Sequence, residues 1–360
     1  LCVAAAAAQT TTSSADELEA HGKFAQAEAL YRAALAEAEE RFPAGDPALL
    51  LPLESLARNL VAQMKAVEAE QLLRRAFEIL EKQHGPFAME LLPAAALLAR
   101  VEELLAKTAE TELLLLRAVA IREKNQGAAH PDLAAELNTL ARLYIAQKRF
   151  MVAEPSLRRA LAILEAKYTW RDPVSLAVLD NLAVVLREKD DLAGAENVLR
   201  RALIVRELRS GPVAPEVAQT LDLLALVIYQ QKRPAEAEPL YERSLAIWTV
   251  ALGPEHPLLA GSFDNLAAAQ AAQEKYGKAE ENYRNALSIR ETHAARSVDN
   301  VGILLDAQEK WKDAEALYKT NLPLLERVDD PKILKHYATV LRKLKKRAAA
   351  AALESRAGNR

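Results

Sequence analysis

The feature that most restricts what this chain can fold into is a repeat. The pairs Leu56-Ala57, Leu98-Ala99, Leu140-Ala141, Leu182-Ala183, Leu224-Ala225 and Leu266-Ala267 follow one another at intervals of 42 residues. Thirteen residues after each leucine comes a small residue and then a glutamate: Ala69-Glu70, Thr111-Glu112, Ala153-Glu154, Ala195-Glu196, Ala237-Glu238 and Ala279-Glu280. Ala27-Glu28 carries the register back towards the start. Past Ala279 the interval shortens to 35, giving Val301-Gly302 and Ala314-Glu315, and a looser copy surrounds Tyr337-Ala338. That makes about eight units, a period typical of stacked supersecondary modules rather than of closed globular cores.

Each unit reads as two amphipathic helices. Leu179, Leu182, Ala183 and Leu186 form one apolar stripe, and Ala195, Leu199, Ala202 and Leu203 a second, both at helical spacing. Turns such as Gln147-Lys148-Arg149-Phe150 and Glu274-Lys275-Tyr276-Gly277 leave room only for antiparallel packing of the pair. Neither helix can bury its stripe alone, so neighbouring units must stack. The connections between units carry Pro47, Pro131, Pro173, Pro215 and Pro257, most of them preceded by Asp46, His130, Asp172 or His256. Proline suits the first turn of a helix, and a preceding Asp can accept the orphan amides there. A composition of 51% hydrophobic, 27% charged and only 5% aromatic residues agrees with an all-α chain.

The formal net charge of −3 offers no field to attract a nucleic acid backbone or an anionic membrane, and no apolar run is long enough to span a bilayer. Residues 1–9, Leu-Cys-Val-Ala-Ala-Ala-Ala-Ala-Gln, resemble the last part of a bacterial secretory signal peptide, with small side chains at Ala6 and Ala8. The plainer alternative is a frayed Ala-rich helix of a cytoplasmic protein. On the first reading the repeat array occupies 10–355, a short tail 356–360, and the protein works in the periplasm or outside the cell. Cys2 is the only cysteine, so no intramolecular disulfide can form.

The succession of Leu-Ala, an aromatic or Leu as at Tyr144, then Ala-Glu, then Tyr241, Tyr283 or Tyr318, resembles the tetratricopeptide repeat. The 42-residue spacing, with His130-Pro131-Asp132 and Gly253-Pro254-Glu255-His256-Pro257, looks like the kinesin-light-chain subtype. The resemblance covers about residues 13 to 355. It implies a right-handed superhelical solenoid of about eight antiparallel helix pairs, whose first helices line a concave groove for a peptide or partner surface. Glu102 and Thr111 depart from the pattern, where apolar residues and Ala are usual, so looser packing near 98–112 is expected. The family's early tryptophan is here Leu or Phe263.

No Gly-rich phosphate loop, His-Glu-x-x-His or Gly-x-Ser-x-Gly occurs, so neither an enzyme nor a cofactor or metal is expected. Asp329-Asp330 precede Pro331 and read as a helix cap. Glu followed four residues later by a cation recurs on second helices, at Glu70/Arg74, Glu154/Arg158, Glu196/Arg200, Glu280/Arg284 and Glu315/Lys319, and supports those helices. The basic run Arg342 to Arg347 reads as a solvated face of the terminal helix.

The polar residues just before the Leu-Ala pairs are different. Asn138-Thr139, Asp180-Asn181, Asp222-Leu223, Asp264-Asn265 and Asp299-Asn300 lie off the apolar stripe, and Asp and Asn are mediocre helix formers. With Arg142, Arg187 and Tyr229 on the same face, Asn138, Asp180, Asn181, Asp222, Asp264, Asn265, Asp299 and Asn300 form the candidate binding row. Asparagines there can hold a bound peptide's backbone, and the acids favour a partner with basic side chains. The plainer accounts are bonds to the neighbouring repeat, or persistence from duplication of one ancestral unit. The function expected is a scaffold that binds an extended segment of a protein; the alternative is a structural repeat protein that associates with copies of itself.

Overall fold

In the computed structural model, residues 14–169 and 171–358 are described, and they are helical without a strand. The segment 1–9, on which the export expectation rests, lies outside them. The chain divides into two compact units, Leu1–Asp191 and Leu192–Arg360.

The first unit contains α1 (residues 14–20), α2 (Phe24–Arg41), α3 (Leu50–Ala62), α4 (Ala66–His84), α5 (Leu91–Leu104), α6 (Thr108–Gln126), α7 (Leu133–Ala146), α8 (Phe150–Lys167) and α9 (Leu176–Glu188). Helix α3 packs on α4, α5 on α6 and α7 on α8, and each pair touches the next through α4 with α5, α6 with α7 and α8 with α9. The recurring small residues are the points of close approach: Ala27, Ala69, Thr111 and Ala153 are wholly buried. Leu56, Leu98, Leu140 and Leu182 are at most 3% exposed, so each apolar stripe is spent on the interior.

The loops start helices as their sequence suggests. The Asp46 side chain accepts from the Ala48 amide at 2.8 Å, Asp172 from Val174 at 3.0 Å and, in the second unit, Asp330 from Lys332 at 2.8 Å. His130 and His256 do the same through Nδ1, accepting from the amides of Asp132 and Leu258 at 3.3 Å. Within each pair the turn is closed by a residue in the left-handed region, from Met64 (φ 61°) and Ala106 (56°) to Lys232 (63°) and Glu274 (63°).

Looser packing near 98–112 is not what the structure shows. Glu102 and Thr111 are both wholly buried. The Thr111 hydroxyl donates to the Lys107 carbonyl at 2.9 Å, which removes the cost of its oxygen. Glu102 accepts from Arg74 at 2.6 Å through one oxygen, and burial pushes its carboxyl up against the pull of that arginine.

The second unit contains α10 (Leu192–Ser210), α11 (Pro215–Gln230), α12 (Pro234–Leu252), α13 (Leu258–Ala271), α14 (Tyr276–Ala307), α15 (Trp311–Thr320), α16 (Leu322–Val328), α17 (Pro331–Lys343) and α18 (Arg347–Gly358). One departure from a row of separate pairs is large. Helix α14 runs unbroken for 32 residues, joining the second helix of one repeat to the first helix of the next. At the end of α12 the chain turns out through Gly253, whose φ of 86° is open to glycine and costly for other residues. The corresponding position in α14 is Ala295, and the Pro-containing loop is missing from the 35-residue interval. With no breaker, the helix continues.

Helix α18 extends through Gly358, beyond the boundary expected at 355, with Ala357 buried and Arg356 donating to Asp329 at 2.7 Å. The basic run is solvent-exposed, as expected, but members of it are paired. Arg342 pairs with Glu354 at 2.6 Å, and Lys346 pairs with Glu315, which takes the place of the expected Glu315/Lys319 pair.

Candidate functional site

In the first unit the residues before the Leu-Ala pairs come together across helices. Asn181 on α9 donates through Nδ2 to Asn138 Oδ1 on α7 at 2.8 Å, the bond to a neighbouring repeat that the plainer account requires. It uses one donor and one acceptor, leaving Asn138 Nδ2 and Asn181 Oδ1 available. Asp180 is half-buried. Arg187 is half-buried and turns to Glu188 at 2.6 Å, away from the row.

Arg142 is exposed on α7, at the mouth of a cavity of about 590 Å³ between α5, α6 and α7. Leu92, Ala99, Leu115 and Ala118 supply its apolar lining, and Arg100, Glu103 and Thr139 its polar rim together with Arg142. Arg100 occupies on α5 the repeat position that Arg142 occupies on α7, and Arg58 stands one repeat earlier on α3. Arg58 donates to Ser55 at 3.2 Å, but Arg100 and Arg142 make no hydrogen bond or ion pair with any described residue. Glu136, also on the rim, is already held by Arg122 at 2.5 Å. A pocket with an apolar lining and two uncommitted guanidinium groups is chemically suited to a carboxylate carried on an apolar segment.

The acid row of the second unit is turned to internal use. Asp222 accepts from Trp248 Nε1 at 2.9 Å, and burial pushes its carboxyl up. Asp264 forms an ion pair with Arg290 of α14. Asp299, expected on an open groove, is only 7% exposed; one oxygen accepts from the Tyr318 hydroxyl at 2.8 Å and the other contacts His336 Nδ1 at 2.8 Å. The fusion in α14 changes what packs around this position, so Asp299 does not present a free carboxylate. Tyr229 is half-buried, whereas Asn265 and Asn300 are exposed and make no side-chain hydrogen bond to described residues.

Sequence reasoning misses two sets of residues. The Arg58, Arg100, Arg142 series is legible as a 42-residue repetition, but only its last member stands in the candidate row. The glutamates of the second helices, assigned to helix support, also bind across repeats. Lys65 reaches Glu28 at 2.7 Å, Lys107 reaches Glu70 at 2.6 Å, Arg149 reaches Glu112 at 2.5 Å and, in the second unit, Lys275 reaches Glu238 at 2.5 Å.

Residues 216–292 match one tetratricopeptide-repeat family model and residues 175–213 a second. Residues 175–292 thus carry tetratricopeptide repeats, and the array is similar in fold to solved tetratricopeptide-repeat solenoids, kinesin-light-chain-like ones among them. Among solved structures, a kinesin light chain with nearly identical tetratricopeptide-like repeats from Podospora anserina is 23% identical, with a TM-score of 0.51 over 56% of this chain and 96% of that one. BtubC from P. vanneervenii is 22% identical, with a TM-score of 0.53 over 65% of this chain and 91% of that one. A signal-transduction ATPase with a tetratricopeptide-repeat sensor, from Pyrococcus horikoshii, is 16% identical with a TM-score of 0.60 and shares 77% of this chain and 40% of that one. At these identities the likeness is one of fold. No curated protein matches the chain in sequence. Tetratricopeptide repeats are interaction scaffolds in general, and among the described residues no helix is long and apolar enough to cross a membrane.

Proposed function

We propose that this scaffold holds an extended segment of a partner protein along the first helices of its first unit, with a carboxylate of that segment seated between Arg100 and Arg142. The observation that carries this reading is the pair of arginines, one repeat apart on a cavity of about 590 Å³, without an internal counter-ion among the described residues. Most other arginines of the chain are tied to a carboxylate, as Arg74, Arg117, Arg149 and Arg233 are. The remaining amide atoms, Asn138 Nδ2 on α7 beside Arg142 and Asn181 Oδ1 on α9, suit a partner's backbone, which would add affinity with little dependence on sequence. The acid row supports a basic partner less well, because Asp222, Asp264 and Asp299 are engaged inside the protein.

The test begins with capture from the native cell and mass spectrometry, followed by titration of the captured protein's binding segment. Arg100→Ala with Arg142→Ala should weaken it by at least about tenfold, as expected for losing charge-assisted hydrogen bonds. Unchanged affinity with an unchanged unfolding midpoint would show that the cavity is not the site. A chain whose mass in light scattering rises with concentration, and which captures nothing, would favour self-association.

A further inference from the structure

The unbroken α14 leaves one repeat junction uncovered. In the six earlier repeats the residue three places after the conserved glutamate is buried: Tyr31, Leu73, Leu115, Leu157, Leu199 and Tyr241 are at most 6% exposed. Tyr283 holds the same place in α14 and is 43% exposed. The preceding glutamate behaves in parallel. Glu28, Glu70, Glu112 and Glu238 each receive a Lys or Arg from the next turn, as do Glu154 and Glu196 from Lys189 and Arg233. Glu280 pairs only with Arg284 of its own helix, at 2.5 Å, and stays largely exposed. The cause is geometric. A first helix covers the preceding second helix by folding back on it, but residues 296–307 continue along the α14 axis at about 1.5 Å per residue and cannot fold back.

The uncovered stripe is continuous. Tyr276, Glu280, Tyr283, Arg284 and Leu287 share one side of α14 and, with Ala271, border an open hollow of about 430 Å³. Tyr276 and Leu287 are 67% and 53% exposed. We propose that this stripe docks an amphipathic helix of a partner protein that carries a Leu-Ala step followed by a basic or amide side chain near its C-terminal end. The other junctions define that chemistry. Where α13 covers α12, Leu266 and Ala267 are buried, while Gln270, Gln273 and Lys275 reach Glu238 at 3.2, 2.8 and 2.5 Å. The small residue of the covering helix makes room for the ring beneath it. In a second copy the Leu-Ala steps, such as Leu266 and Ala267, are already buried in its own array, and its matching stripe presents Tyr276, Tyr283 and Leu287, with bulk where the covering helices have alanine.

This surface lies on α14 and owes nothing to the arginine cavity of the first unit, so the two proposals fail independently. The probe is a peptide of residues 257–275, stapled and verified as helical by circular dichroism, labelled and titrated with the full chain. Saturable binding is expected, weakened at least tenfold by Tyr283→Arg, an exposed position whose substitution leaves the unfolding midpoint in place. Glu280→Lys should weaken this peptide and strengthen one carrying Lys275→Glu. No saturable binding, or binding indifferent to Tyr283→Arg, overturns the proposal. So does a dimer in sedimentation that Tyr283→Arg dissolves, since the occupant would then be a second copy.

Discussion

Tyr241 and Tyr283 stand 42 residues apart at the same place in successive repeats, yet the first is 2% exposed and the second 43%. The two repeats agree in the Ala-Glu step that precedes each ring and in the cation of the next turn, Lys275 for one and Lys310 for the other. They differ in the interval to the next repeat, which is 42 residues in one case and 35 in the other. A residue of a stacked array is therefore buried or not according to whether the next helix can return over it, and that depends on a loop far from the residue itself. Neighbour-only contact is what makes repeat arrays sensitive in this way.

The contrast can be broken most directly by truncation. Tyr241→Ala should cost about 3–5 kcal/mol, the loss of a large buried ring plus the cavity it leaves, whereas Tyr283→Ala should cost less than about 1 kcal/mol. Urea unfolding of the two variants side by side checks this, and equal losses would mean that Tyr283 is covered in solution. A smaller effect is expected where the fusion brings a new neighbour against α14. Gly302 stands where earlier repeats have alanine, and a Cβ there would collide with the Tyr318 hydroxyl. That ring cannot retreat: it is fully buried, stacks on Tyr337 at 4.8 Å and donates to Asp299 at 2.8 Å. Gly302→Ala should destabilise by about 1–3 kcal/mol despite the gain of up to about 1 kcal/mol in helix propensity, read as a lowered unfolding midpoint.

The electrostatic half of the comparison is the smallest. The Lys65 ammonium, helped by Arg32 and Gln63, holds the Glu28 carboxyl at about 2 against the opposing effect of burial. A folded-state value below the unfolded one means that this junction contributes fully above the ordinary carboxylate range and loses its contribution as pH falls towards 2. Glu28→Gln should therefore flatten the decline of stability between about pH 5 and pH 2. Glu280→Gln, which removes only an exposed pair within one helix, should change stability at neutral pH by less than about 0.5 kcal/mol. Both are read from unfolding midpoints measured across a pH series.

Much of the molecule is legible in the amino-acid sequence. The period places the helices, the Leu-Ala steps place the core, and the Asp-Pro and His-Pro pairs place helix starts that the Asp46, Asp172 and His256 bonds confirm. The intrahelical Glu70/Arg74 and Glu196/Arg200 pairs are equally legible, because spacing along a helix fixes which side chains are neighbours. The candidate site is legible only as a face. Asn138 and Asn181 share it as expected, but spacing does not tell that they bond to one another, nor that Arg142 lines the same cavity as an unpaired Arg100.

What the amino-acid sequence determined by itself was thus everything governed by local periodicity: helix, stripe, cap and stacking order. What the tertiary structure decided was everything governed by the partner of a side chain in another helix. Asp264 and Asp299 are the same residue type at equivalent register, yet Asp264 meets Arg290 while Asp299 is enclosed by Tyr318 and His336. The 35-residue interval was visible in the sequence, but its consequence was not. Whether seven missing residues shorten a loop or fuse two helices depends on the breaker they carried, and the loss at that point of the counterparts of Gly253 and Pro257 removes the turn that ends α12 and leads into the next helix.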